Sequence, residues 1–214
     1  LKQYLAAKYS GEPMENLWWV DEVLRFNGPG RAGWEHADEV MSLLDLKPGD
    51  VIADIGSGAG FYSLRFSDAV APHGIAYAIE MNERHLDYIE ELVKSENRGN
   101  LQPIQTDGVL VGVPPGSLDV AFMCSAYQAI YAMVRKPQRE EFLTNLRASL
   151  KDTGRLVISE SDPNETTGNP FGGISIAPEV IIEQLEARGF ELVKQTRFIP
   201  QRYVLVFQPR KAGG

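Results

Sequence analysis

From Val51 onward the chain switches repeatedly between two hydrophobic periods. The segments "VIADIG" from Val51, "IAYAIEM" from Ile75, "LQPIQTD" from Leu101, "SLDVAFMCSA" from Ser117 and "RLVISES" from Arg155 are short and apolar, with turn residues nearby. That is the pattern of buried strands. Between them apolar residues recur at helical spacing, over Phe61 to Val70, Asn82 to Glu96, Gln138 to Leu150 and Pro178 to Arg188. Asn82 is placed to cap the second of these helices and Gly189 to end the last, while "KDTG" closes the third. An earlier amphipathic stretch, Glu35 to Leu46, predicts a helix that "KPGD" stops.

Strands that alternate with helices imply right-handed crossovers and a parallel sheet. The last two strands, "FELVKQTRFI" and "QRYVLVFQ", have only a short Pro-containing turn between them, which permits antiparallel pairing alone. The expected fold is α/β, doubly wound and mostly parallel, closed by an antiparallel hairpin. Residues 1–34 follow neither period. They form an irregular extension rich in aromatics, including Trp18, Trp19, Phe26 and Trp34, ahead of a domain over 35–210.

Composition narrows the class. A chain of 214 residues with 43% hydrophobic content supports one large domain. The net charge of −8 argues against a broad nucleic-acid footprint, which requires clustered Lys and Arg. No apolar run reaches membrane-spanning length. The single cysteine, Cys124, cannot form an internal disulfide, so a reducing, cytoplasmic location is expected. The chain starts at Leu1 rather than Met, which leaves a processed signal peptide open. No His, Cys and Asp spacing suggests a metal site, and nothing in the sequence sets the oligomeric state.

The richest chemistry lies in "VIADIGSGAGFYS". A strand meets Asp54, then glycines at 56, 58 and 60, then a helix. Such a turn lets a ligand approach the backbone and adds the free N–H groups of a helix start. Two more acids fall at successive strand ends. Glu80 is placed to accept ribose hydroxyls, and Asp107, before Gly108, to meet an adenine edge. Ligands of open α/β sheets bind outside this carboxyl edge.

Together these motifs resemble class I S-adenosylmethionine-dependent methyltransferases. "VIADIGSGAGFYS" is similar to the family's first motif, "AYAIEMN" to its acidic ribose motif and "QTDG" to its adenine motif. "LDVAFMCSAYQ" resembles its fourth-strand motif, "LRASLKDTGRLVISE" its next helix and strand, and the terminal "GFELVKQTRFIPQRYVLVF" its antiparallel hairpin. The likeness covers about residues 35–208. It implies a Rossmann-like sheet of seven strands and S-adenosylmethionine as cofactor. It also implies roles: Asp54 orienting the loop or reaching the cofactor's amino group, Gly56, Ser57 and Gly58 under the methionine part with Gly60 in the same cofactor-binding turn, Glu80 on the ribose, and Met81, Asp107 and Gly108 on the adenine. Cys124 and Ser125 would line the reacting methyl. In that family an N-terminal segment covers the site and helps choose the acceptor.

Methyl transfer needs a base only when the acceptor must lose a proton. Tyr127, just past the fourth strand, and His36, at the start of the first helix, are the catalytic candidates. Glu160 and Asp162 follow the fifth strand, Arg31 could hold an acceptor carboxylate, and His85 could lie near the adenine. "MCSA" lacks the Pro-Cys setting of pyrimidine-methylating enzymes, and "CSAY" replaces the "NPPY"-type motif of amino-methylating nucleic-acid enzymes. The expected function is methyl transfer to a small molecule. A protein or RNA acceptor, a noncatalytic S-adenosylmethionine binder and a nicotinamide-dependent oxidoreductase are the alternatives. The missing Tyr-x-x-x-Lys pair and the terminal hairpin weigh against the last.

Overall fold

The computed structural model describes residues 27–28, 30–165 and 174–210. The Trp18, Trp19 and Phe26 cluster lies outside them. Two short helices come first, α1 (Arg31–Trp34) and α2 (Ala37–Leu44). Then come β1 (Val51–Ile55), α3 (Phe61–Val70), β2 (Ile75–Glu80), α4 (Glu83–Ser95), β3 (Leu101–Gln105) and β4 (Leu118–Cys124). The chain continues through α5 (Tyr127–Met133), α6 (Lys136–Ser149), β5 (Leu150–Ser161), α7 (Pro178–Glu186), β6 (Phe190–Thr196) and β7 (Arg202–Pro209).

The strands form one sheet of seven in the order β3-β2-β1-β4-β5-β7-β6. The first five pair in parallel, and β7 is antiparallel to both β5 and β6. This is the Rossmann-like arrangement expected, with the reversed strand between β5 and β6. Strand order reverses between β1 and β4, which makes the carboxyl edge there a topological switch point.

Both faces of the sheet are covered, which explains the unbroken apolar strands. On one face Ala121, Met123, Leu156, Ile158, Leu205 and Phe207 pack with α6 and α7 residues such as Phe142, Leu146, Ile181 and Leu185. On the other, Ile52, Val120, Phe122 and Val157 pack with Val40, Phe66, Val70 and Ile89 of α2, α3 and α4. Neighbouring residues of β4, β5 and β7 thus feed opposite cores, as the two-residue period of a strand requires.

Four boundaries differ from the sequence expectation. Residues 151–154, "KDTG", continue β5 instead of ending a helix, because Leu150 already pairs with Leu118 across a register shift. β3 stops at Gln105, so Asp107 lies in the loop beyond it. The helix expected from Glu35 begins at Ala37, and part of the irregular segment before it forms α1. α5 was not expected at all; it has no side-chain cap to announce it.

Candidate active site

At the carboxyl edge of β1, β2 and β4 opens a cavity of about 620 Å³. That volume is typical of a site for a cofactor and a small ligand. Its glycine side is built by the turn after β1. Gly56 has φ +73°, and a Cβ there would lie 2.6 Å from the Ala126 Cβ, so both its backbone and its surroundings require glycine. Gly58 has φ +54°, and a Cβ there would meet nothing within 4 Å. Only Gly58 therefore leaves an open cradle. Gly60 does not line the cavity; its missing side chain makes room for Ile89.

The acids at the strand ends hold this turn in place. Glu80 Oε2 accepts from the Gly58 N–H at 2.8 Å, and Oε1 accepts from the N–H groups of Met81 at 2.8 Å and Asn82 at 3.0 Å. Oε1 thus has both lone-pair directions in use, while Oε2 keeps a further one for a ligand hydroxyl. Asp54 is buried and accepts from the Ser63 hydroxyl at 2.6 Å. Burial pushes its carboxyl up to about 7, against the lowering effect of Ser63. Met81 lies against Gly108, and both face the cavity with Thr106, Leu110 and His85. Asp107 does not line it. Its Oδ1 accepts from the N–H groups of Val109 at 2.9 Å and Leu110 at 3.1 Å, bonds that shape the loop and hold its carboxyl below the usual range.

The opposite end is lined by Arg31, Tyr62, Cys124 and Ser125, with a buried ionic cluster behind it. Glu35 sits between two guanidiniums, at 3.2 Å from Arg31 Nε and 3.5 Å from Arg202 Nε. Arg202 Nη1 donates to Ser125 Oγ at 2.9 Å, and Nη2 donates to the Ser159 carbonyl at 2.8 Å. Ser125 has a left-handed backbone, φ 54°, unusual outside glycine. The Cys124 thiol donates to Glu35 Oε1 at 3.2 Å. Burial and the Glu35 charge push that thiol well above its ordinary value, so it stays protonated. The Arg31 guanidinium lies 4.2 Å from the centre of the Phe61 ring, within cation–π range.

Both catalytic candidates from the sequence fall outside the cavity. Tyr127 is fully buried and its hydroxyl donates to Gln184 Oε1 at 2.8 Å, a packing role between α5 and α7. His36 caps α2 from a left-handed conformation and meets Glu39 at 3.2 Å on the surface. Asp162 starts a turn by accepting from the Asn164 N–H at 2.9 Å and pairs with Arg197. Glu160 accepts from the Gln128 N–H at 3.2 Å and so anchors the start of α5. Burial pushes its carboxyl up to about 7. Sequence reasoning missed Glu35, Tyr62, Gln128 and Arg202. For Arg202 a signal existed, a cation heading the otherwise apolar run "RYVLVF".

Residues 52–154 match the model of the methyltransferase domain family. A protein-L-isoaspartate O-methyltransferase of Aeropyrum pernix is 32% identical over 107 residues, half of this chain and 38% of that protein. A ubiquinone/menaquinone biosynthesis C-methyltransferase of Ectopseudomonas mendocina is 26% identical over 133 residues, 61% of this chain and 48% of its own length. The chain thus spans less than half the length of these two curated relatives. Among solved structures, a SAM-dependent methyltransferase from Aquifex aeolicus superposes with a TM-score of 0.78 at 21% identity, covering 88% of this chain and 97% of that one. Fold and domain match together define a Rossmann-like methyltransferase domain. In that domain and in its fold the chain is similar to the class I S-adenosylmethionine-dependent methyltransferases.

The cavity fits that family's cofactor on its own chemistry. The cradle at Gly58 is open, and two buried cavity atoms, Ser57 Oγ and Tyr62 Oη, have no hydrogen-bond partner among the described residues. Unpaired buried polar atoms are costly in a finished core and ordinary in a site that receives a polar ligand. No helix among the described residues is long and apolar enough to cross a membrane.

Proposed function

We propose that this chain transfers a methyl group from S-adenosylmethionine to a small molecule held in the same cavity. One observation carries the reading: Glu80 and Gly58, joined by a 2.8 Å hydrogen bond, put an acid and an open backbone cradle on one wall of a cavity of about 620 Å³. In this reading Glu80 holds the ribose hydroxyls, and Met81, Gly108 and Thr106 border the adenine. Asp54 and Ser57 face the methionine part beside Gly56 and Gly58. Cys124 and Ser125 border the reacting end. The cofactor supplies an activated methyl on a sulfonium, so the protein's task is chiefly to align an acceptor and exclude water.

The modest cavity volume of about 620 Å³ and the acidic net charge support a small acceptor over a nucleic acid. The named activity of the Aeropyrum relative makes a protein acceptor the second reading. Incubation with methyl-labelled S-adenosylmethionine and a fractionated cell extract separates them. Label is expected in small molecules; label confined to protein or RNA would contradict the proposal.

A further inference from the structure

The large hydrophobic side chains left exposed among the described residues are Trp34, Met81, Leu110, Met133, Ile174 and Val193. Scattered singly, such residues are ordinary surface. Here they are not scattered: Met81, Leu110, Met133 and Ile174 all line the cavity, from four separate segments of the chain. α5 adds a stripe to this set. Ala129, Ala132 and Met133 are exposed and line the cavity, at the i, i+3, i+4 spacing that puts them on one side of a helix. Tyr127, Ile130 and Tyr131 pack against the core. The exposed stripe of a surface helix is normally polar. This one is apolar, and "YQAIYAM", the whole of α5, holds no charged residue.

What covers the stripe follows from where α5 starts and ends. Ala126, just ahead of the helix, lies against the glycine turn: a Cβ on Gly56 would come 2.6 Å from the Ala126 Cβ. Val134, just after it, lies beside the loop beyond β3, with its Cγ2 3.7 Å from a Cβ built on Gly108. Met133 stands about two helical turns, roughly 10 Å, from Ala126. In the reading above Met81 and Gly108 serve the adenine, and Val134 lies with them. Ala129, Ala132, Met133 and Ile174 are left over. Their occupant shares one cavity with the cofactor and has to reach Ser125, the residue before Ala126, where the methyl is delivered.

We infer that the exposed stripe of α5, with Leu110 and Ile174, is the acceptor subsite, and that the acceptor is an apolar molecule, an aromatic or alkyl body bearing one group that takes the methyl. This rests on the methyl-transfer reading above. Such a body removes apolar surface from water on both partners, and each methylene so buried tightens binding about three- to fourfold. A strongly hydrated acceptor, a sugar or a phosphate ester, would give up water against this wall and find no charged partner on α5. The reacting group sits at the start of the helix, where Ser125 and Gln128 line the cavity.

Calorimetry on the full chain tests the subsite without turnover. The protein is first saturated with S-adenosylhomocysteine, which fills the cofactor's share of the cavity, then titrated with phenol, 4-ethylphenol and 4-butylphenol. Affinity is expected to rise about three- to fourfold with each methylene. Met133→Gln and Ile174→Asn place polar groups at exposed positions, where the core is not disturbed. Each should reduce the gain per methylene and leave S-adenosylhomocysteine affinity unchanged. Val193→Gln makes the same kind of change at an exposed residue outside the cavity and should keep the gain. Four results would each overturn the inference. They are phenols that fail to bind at about 5 mM, above typical KM values, affinities that stay flat along the series, a gain equally reduced in Val193→Gln, and a gain undiminished in both cavity variants. Weaker S-adenosylhomocysteine binding in Met133→Gln would assign the stripe to the cofactor and overturn it as well. Failure of S-adenosylhomocysteine to bind the parent chain would instead overturn the cofactor reading, so the two failures are distinct.

Discussion

Gly56 and Gly58 look equivalent in the sequence, yet their missing side chains make room for different things. Gly56 yields to Ala126, and Gly58 to open cavity. Gly56→Ala should therefore destabilise the fold, by about 1–3 kcal/mol from overpacking and left-handed strain together. Chemical denaturation measures this; an unchanged midpoint would contradict the geometry. Glu80→Ala should weaken S-adenosylhomocysteine by roughly 1.5–3 kcal/mol, since a charged acceptor is lost, and titration calorimetry reads it. Glu160 supplies a pH dependence. Burial raises it from 4.5 to about 7, so the folded state holds this proton more tightly than the unfolded chain. Its contribution to stability is full below about pH 4.5 and is lost as pH rises through 7. Glu160→Gln keeps an oxygen for the Gln128 N–H and should remove that loss, gaining on the order of 2–3 kcal/mol over the parent at about pH 8. Denaturation curves with identical pH slopes would count against it. The strand-end acids were legible because their spacing comes from short strands in series. Glu35 and Arg202 were not, because they meet only where the turn between α1 and α2 lies against the start of β7, a neighbour relation with no local pattern.

Elements with strong periodicity and local punctuation were readable; those set by tertiary pairing were not. α4 is a case of the first kind. Asn82 caps it by accepting from the Arg84 N–H at 3.0 Å, and Leu86 and Ile89 turn inward. Asn82→Ala should cost about 1 kcal/mol of stability, measurable as a shift in the denaturation midpoint. The start of β5 is a case of the second kind. "KDTG" has turn composition, but a parallel partner in β4 draws Leu150 and residues 151–154 into the sheet. α5 shows the same limit. Its first turn is held by Glu160 from β5, so the cap that starts it lies in another element. Seven residues without a capping side chain carry too little pattern to outweigh the loop composition before them.

At the scale of the molecule, the site is a consequence of topology. Strand order reverses between β1 and β4, the connections leaving these strands diverge there, and the cavity opens at that gap. Cofactor affinity should also respond to pH through Asp54, whose carboxyl is raised to about 7 by burial. S-adenosylmethionine carries a sulfonium and an ammonium, so binding should tighten as pH rises through about 7 and Asp54 ionises; Asp54→Asn should flatten that trend in a calorimetric pH series. The central claim is that the Glu80–Gly58 wall binds an adenosyl cofactor. The most direct measurement is calorimetric titration of the purified chain with S-adenosylhomocysteine and, in parallel, with NAD. Saturable binding of one equivalent of S-adenosylhomocysteine, weakened by Glu80→Ala, with none for NAD, is the predicted result. No binding of S-adenosylhomocysteine, or the same affinity in Glu80→Ala as in the parent, would contradict it.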